Sequence, residues 1–309
     1  MIVCVTLATK KFTAMSNTHY IGRFAPSPSG PLHFGSLIAA LGSYLRAHSQ
    51  QGKWLVRIED IDPPREIAGA SDDILRTLEA YGLHWHDSVL YQHQRYDAYQ
   101  QQIDLLVSQD LAYFCQCTRK LIQANGGLYD GRCGQCQPRL TQGAIRIRNQ
   151  AKVGTFTDIV QGRVTVDSHF AAEDFIIKRS DGLYAYQLAV VLDDAFQGIT
   201  EVVRGCDLLD ASCRQISLFS QLGLSAPTWL HLPLACAEIG FKLSKQNHAP
   251  AIDTKQPQAS INAALSFLGQ PSVDVDAVEV MLQQAVAQFS LQRIPKQKEI
   301  VLDKTNLAT

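Results

Sequence analysis

Apolar residues recur along the chain in two rhythms, and the switches between them lay out its elements. Residues 20–25 have strand character and stop at Pro26 and Pro28, whose missing backbone donors force an extended turn. Beyond Gly35 the apolar positions become Leu37, Ile38, Leu41, Tyr44 and Leu45, a helical stripe. Residues 54–58 form a second strand that runs into Glu59, Asp60, Ile61, Asp62 and Pro63. Helical spacing returns over 71–81, through Ile74, Leu75, Leu78 and Tyr81, with Gly82 as its stop. It recurs over 95–111, through Tyr96, Tyr99, Ile103 and Leu106.

The middle of the chain is different. Residues 144–148 alternate like a strand, and 156–166 fold back at Gln161-Gly162. Residues 175–179 and 183–187 flank Asp181-Gly182, which predicts a hairpin. Afterwards a strand over 199–205 leads into a helix over 208–222, ended by Gly223, and a strand follows over 230–234. Helices are expected over 260–268 and 276–289. Strand–helix units on both sides of an antiparallel insert point to an α/β chain with a parallel sheet and an α+β insert.

A length of 309 residues with 46% hydrophobic content supports a large core and about two domains. A formal net charge of −1 gives no global basic signal, so a nucleic acid partner must use a local patch. No apolar run reaches membrane-spanning length. Residues 1–15 lack the layout of a cleaved signal, and Met15 is an alternative start that would make the preceding residues dispensable. The eight cysteines do not suit a disulfide scaffold in a chain this long, so a reduced, cytoplasmic protein with one metal site is expected.

Several places carry candidate chemistry. His33 and Gly35 stand at a helix N-terminus, where unpaired N–H groups and a partial positive charge favour phosphate and a glycine admits close approach. Cys115, Cys117, Cys133 and Cys136 form two clusters across a short glycine-rich loop, a tetrahedral zinc pattern in which spacing alone makes Cys136 the fourth ligand. Lys242, Ser244 and Lys245 put two lysines around a serine, a set suited to charge developing on phosphate groups. Glu59 follows a strand at the end where α/β sheets bind ligands, and Arg204 closes another. His84 and His86 have no thiol or carboxylate arranged around them and read as interface polars.

Taken together, the stretch Arg23-Phe24-Ala25-Pro26-Ser27-Pro28-Ser29-Gly30, followed by Leu32-His33-Phe34-Gly35, resembles the first signature of class I glutamyl-tRNA synthetases. Lys242-Leu243-Ser244-Lys245-Gln246, about 210 residues after the first motif, resembles their lysine loop. The resemblance implies a Rossmann-type fold in which His33, Gly35, Lys242 and Lys245 are catalytic and His33, Gly35, Ser244 and Lys245 bind ATP, with Mg²⁺. Ser36 replaces the last histidine of the general pattern, so that residue's role is not carried over. Glutamate is implied to contact Arg23, Phe24, Ala25, Pro26, Ser27, Glu59, Tyr186 and Arg204. That chemistry is consistent, since guanidinium groups bind carboxylates bidentately and reject a neutral amide, while Glu59 suits an ammonium.

The insert is similar to that of the short members of this family, which implies zinc on Cys115, Cys117, Tyr129 and Cys133 and leaves Cys136 spare. The resemblance then divides the chain into an extension (1–18), a first half of the catalytic domain (19–112), a zinc-bearing and tRNA-contacting insert (113–172), a second half with the lysine loop (173–250) and a short helical region (251–309). Only 63 residues follow Gln246, too few for an anticodon-reading domain, and this matches the glutamyl-queuosine tRNA(Asp) synthetase branch. That branch implies a monomeric enzyme that activates glutamate with ATP without tRNA, then esterifies it to queuosine in the tRNA(Asp) anticodon loop. A ligase charging a tRNA 3′ end or another acceptor, and a non-catalytic tRNA-binding paralogue, are the alternatives. A nicotinamide dehydrogenase is disfavoured, because no Gly-x-Gly-x-x-Gly loop follows a strand.

Overall fold

A computed structural model describes residues 19–243 and 250–302. The chain begins with β1 (Ile21–Phe24), α1 (Phe34–Ser49), β2 (Lys53–Ile58), α2 (Ala70–Ala80), β3 (Leu90–Tyr91) and α3 (Tyr96–Ser108). The middle contains β4 (Ala112–Cys115), α4 (Arg119–Ala124), β5 (Ala144–Ile147), β6 (Thr155–Asp158), β7 (Gly162–Thr165), α5 (Ser168–Ala172) and β8 (Ile176–Lys178). The last part comprises α6 (Tyr186–Phe196), β9 (Glu201–Gly205), α7 (Ser212–Gln221), β10 (Thr228–Leu232), β11 (Leu234–Glu238), β12 (Phe241–Lys242), α8 (Pro257–Phe267), α9 (Val278–Gln288) and β13 (Glu299–Val301).

Parallel pairing joins β1 to β2, β2 to β3, and β9 to β10. The Thr200 N–H donates to the Ile21 carbonyl at 2.9 Å, which sets β9 beside β1. The parallel strands therefore run in the order β3, β2, β1, β9, β10, and the order reverses between β1 and β9, where a crevice opens at the strands' carboxyl ends. Both faces of this sheet are covered, which explains why β2 reads as one apolar run. Trp54, Val56 and Ile58 enter the core that contains α1, α8 and α9, whereas Leu55 points into the core of α3, α6, α7 and the insert.

In the middle segment β4, β5 and β8 form an antiparallel sheet, and β6 pairs with β7 in a hairpin. The third strand, β8, comes from beyond residue 172.

Two elements differ from the sequence reading. The second strand expected at 183–187 is reduced to a single bridge between Lys178 and Tyr184, and Tyr186 instead opens α6. Leu188, Ala189, Val190 and Val191 are all buried, and four consecutive buried apolar residues have no period that separates a helix from a strand. The strand expected at 230–234 is two strands, because Pro233 between them has no N–H to continue a ladder. The expected C-terminal helices are present, and through residue 302 this region packs against the rest of the fold. Helices α8 and α9 pack on α1, and β13 adds to β11 in parallel, with Leu234 opposite Glu299. Gly269, at φ +68°, permits the close turn after α8, since a Cβ there would lie 2.2 Å from the Arg293 carbonyl oxygen.

Candidate active site

Of the residues singled out in the sequence, those at the end of β1, at the start of α1 and at the ends of β2 and β9 come together at the crevice between β1 and β9. The loop after β1 lines a cavity of about 400 Å³ through Phe24, Pro26, Ser27, His33 and Gly35, and Asp207 and Lys242 close its far side. His33 is the N-cap of α1, so the cavity meets that helix at its positive end. A Cβ on Gly35 would stand 3.0 Å from the His33 ring and 3.5 Å from the Leu243 carbonyl oxygen, so a side chain would occupy the channel between the two. The chain returns beside His33 after the lysine loop, through the Ile252 N–H donating to Leu32 O at 3.1 Å. The Lys242 Nζ reaches Asp207 at 2.6 Å. Ser244 and Lys245 lie outside the described residues.

An adjoining cavity of about 590 Å³ shares Ser27 and Ser29 with the first and is walled by Glu59, Arg179, Tyr184 and Tyr186. Behind this wall stands a buried charge cluster. Arg23 is 2% exposed and grips Asp194 through Nε at 2.9 Å and Nη2 at 3.2 Å. Arg57 donates to the same carboxylate at 2.7 Å and lies 3.6 Å from Glu59. Burial pushes Asp194 up, but the two guanidinium groups outweigh it and hold the carboxyl below its ordinary range. Glu59 has only the longer Arg57 contact: burial raises it to about 7, although Arg57 and Arg23 pull the other way. Its Oε1 is buried and makes no hydrogen bond to the protein, so it is an acceptor available to a ligand donor.

Arg204 is equally enclosed. Its Nη1 donates to the Tyr186 hydroxyl at 3.3 Å, its Nη2 to Ser212 Oγ at 2.8 Å, and its Nε to His231 Nε2 at 3.1 Å. Burial lowers its proton affinity, and Arg23 acts in the same direction, so the two cations share one field. Such a concentration of cations fits an anionic ligand. Sequence reasoning identified Arg23, Glu59, Tyr186 and Arg204 but not Arg57, Asp194, His231 or Asp158. Asp194 was recoverable only by recognising α6 as a helix.

In the insert, the sulfurs of Cys115, Cys117 and Cys133 lie within 4.8 Å of one another, a group that could hold a metal ion. Four-coordinate thiolate zinc, with Zn–S near 2.3 Å, needs sulfurs about 3.8 Å apart, and Cys117 and Cys133 are 3.5 Å apart. Burial pushes the Cys117 thiol up to about 12, and the neighbouring sulfurs of Cys133 and Cys115 add to it. A cation among them would relieve that cost. The Tyr129 hydroxyl accepts from the Cys133 N–H at 2.9 Å, beside this group, whereas Cys136 Sγ is turned to the Arg132 carbonyl at 3.6 Å.

Among the described residues no helix is long and apolar enough to cross a membrane. Residues 21–129 and 135–300 match the family described as class I tRNA synthetases (E and Q), catalytic domain. The chain is 77% identical over 287 residues to the glutamyl-Q tRNA(Asp) synthetase of Shewanella frigidimarina, covering 93% of this chain and 98% of the relative. It is 55% identical over 288 residues to the enzyme of the same name from Escherichia coli K12, covering 92% and 94%. Among solved structures, a glutamate tRNA ligase from Elizabethkingia meningosepticum, in complex with its amino acid, superposes with a TM-score of 0.76 at 25% identity, over 93% of this chain and 68% of that one.

Proposed function

Because the chain belongs to the class I glutamyl- and glutaminyl-tRNA synthetase family, in its glutamyl-Q tRNA(Asp) synthetase branch, we propose that it activates glutamate with ATP without tRNA and transfers it to queuosine in the tRNA(Asp) anticodon loop. The observation that carries the reading is the buried set of Arg23, Arg204 and Glu59, whose Oε1 has no hydrogen bond, placed beside a cavity at a helix N-terminus.

In this reading the α-ammonium of glutamate donates to Glu59, and Arg23 and Arg204 receive carboxylate. Phe24, Ala25, Pro26 and Ser27 shape the wall between the two cavities. ATP lies in the first cavity with its phosphates toward His33, Gly35 and the start of α1. An α-carboxylate oxygen attacks the α-phosphorus, the bond to the bridging oxygen breaks, and pyrophosphate leaves with the electron pair. Lys242, together with Ser244 and Lys245, meets the charge that develops there, and Mg²⁺ accompanies the nucleotide. A hydroxyl of the acceptor then attacks the mixed anhydride carbonyl, and AMP departs. Preorganised cations are effective here because little reorganisation is needed once the cavity is closed to water. Zinc on Cys115, Cys117, Cys133 and Tyr129 plays a structural part, fixing the glycine-rich insert as a surface for the tRNA.

The test measures glutamate-dependent ATP–pyrophosphate exchange with and without tRNA, then transfer of labelled glutamate. Exchange without tRNA, and transfer to CCA-trimmed tRNA(Asp) that carries queuosine but not to intact tRNA lacking it, is the expected pattern. Exchange that requires tRNA, or runs equally well with glutamine, overturns the activation step. Transfer abolished by trimming yet indifferent to queuosine assigns the glutamate to the 3′ end instead.

A further inference from the structure

The guanidinium of Arg204 is held by a device that no motif in the sequence announces. His231, on β10 and fully buried, offers Nε2 to Arg204 Nε at 3.1 Å and to Ser212 Oγ at 3.2 Å. Its other nitrogen, Nδ1, lies 2.7 Å from Asp158 Oδ2. A guanidinium nitrogen has no lone pair, so Nε2 must accept and the ring proton must sit on Nδ1, donated to Asp158. Asp158 is in turn 1% exposed and fixed by backbone donors: its Oδ1 accepts from Val160 N at 3.0 Å and from Gln161 N at 2.8 Å. These contacts and the His231 ring outweigh the burial that would raise the carboxyl, and hold it below its ordinary range. Burial likewise keeps His231 neutral by lowering its proton affinity.

Asp158 ends β6, the first strand of the insert hairpin, and the turn after it docks on β10 through the Ile159 N–H, which donates to Trp229 O at 2.8 Å, and through Gln161 Nε2, which donates to His231 O at 3.1 Å. The insert thus docks on the edge strand β10, through which it reaches the arginine of the amino acid pocket. We propose that Asp158 and His231 are positioning residues that hold Arg204 in its carboxylate-binding pose by fixing the histidine tautomer, so that glutamate recognition depends on the seating of the insert hairpin.

The inference rests on Arg204 receiving a glutamate carboxylate. An asparagine at position 158 that keeps its oxygen on the backbone donors turns its amide N–H₂ toward His231 Nδ1. The ring proton then moves to Nε2 and confronts the Arg204 N–H, donor against donor. The guanidinium loses its support without losing its charge.

Steady-state pyrophosphate exchange on the full chain tests this, with glutamate and ATP varied separately. Asp158→Asn and His231→Leu should raise the glutamate KM about tenfold or more and leave the ATP KM within about twofold. His231→Gln keeps an acceptor for Arg204 and a donor for Asp158, and should recover most of the loss seen with leucine. The glutamine and leucine variants are compared at matched thermal stability, so the pair decides the matter even where Asp158→Asn unfolds. An unchanged glutamate KM in these variants, or glutamate and ATP KM values that rise together, overturns the positioning role. Arg204→Ala is run alongside: if that change itself leaves the glutamate KM unmoved, the pocket reading fails, and the positioning role fails with it for a separate, recognisable reason.

Discussion

Replacing Glu59 by glutamine separates its state as a buried acid from its proposed role as a ligand for an ammonium. The carboxyl stands at about 7 in the folded chain against an ordinary value of 4.5, because burial penalises its charged form. A group with a raised folded value binds its proton more tightly in the native state. Its contribution to stability is therefore fully present below pH 4.5 and is lost as pH climbs through 7. Between pH 5 and 8 the loss amounts to about 2–3 kcal/mol at 1.36 kcal/mol per unit.

Glutamine imitates the protonated form and carries no such slope. Denaturant titrations at pH 5 and pH 8 should find the Glu59→Gln variant gaining that margin on the unmodified protein at the higher pH. Glutamate binding should show the opposite trend. An ammonium prefers the ionised carboxylate, so affinity falls about tenfold for each pH unit below 7, with a proton released on binding. The Gln variant should bind weakly at every pH. Parallel stability curves for the two proteins would refute the burial argument, and a pH-independent affinity in the unmodified protein would remove Glu59 as the ammonium partner.

Two further outcomes follow from buried geometry. Asp194→Ala leaves Arg23 and Arg57 without their shared carboxylate, which should cost about 3–5 kcal/mol of stability by denaturant melt, whereas Asp194→Asn keeps some acceptors and should cost less; equal melts for all three proteins would show that the arginines find other partners. Metal analysis should give one zinc per chain, retained in Cys136→Ser and weakened in Tyr129→Phe, and loss confined to the Cys136 change would move the fourth ligand to that sulfur.

Much of the fold was determined by the sequence alone, because the information is local. Pro26 and Pro28 stop β1, the stripe from Leu37 to Leu45 can only be one face of α1, and the apolar run of β2 demands a sheet covered on both sides. His33 and Gly35 at the start of α1, the cysteine clusters and the lysine pair are likewise short-range patterns, legible without coordinates.

What the tertiary structure decided depends on pairing across long separations. Helix α6 was hidden because the unbroken buried apolar run at 188–191 masks its period, and with it went Asp194, which meets Arg23 across 171 positions. The C-terminal helices could be read as helices, but only packing shows that they and β13 complete the core beside α1 and β11. His231 and Asp158 sit 73 positions apart, one in a strand and one in an insert hairpin, and neither residue is unusual where it stands. A buried polar group is satisfied by whatever the fold brings against it, and that partner is a property of topology, which a linear pattern does not contain.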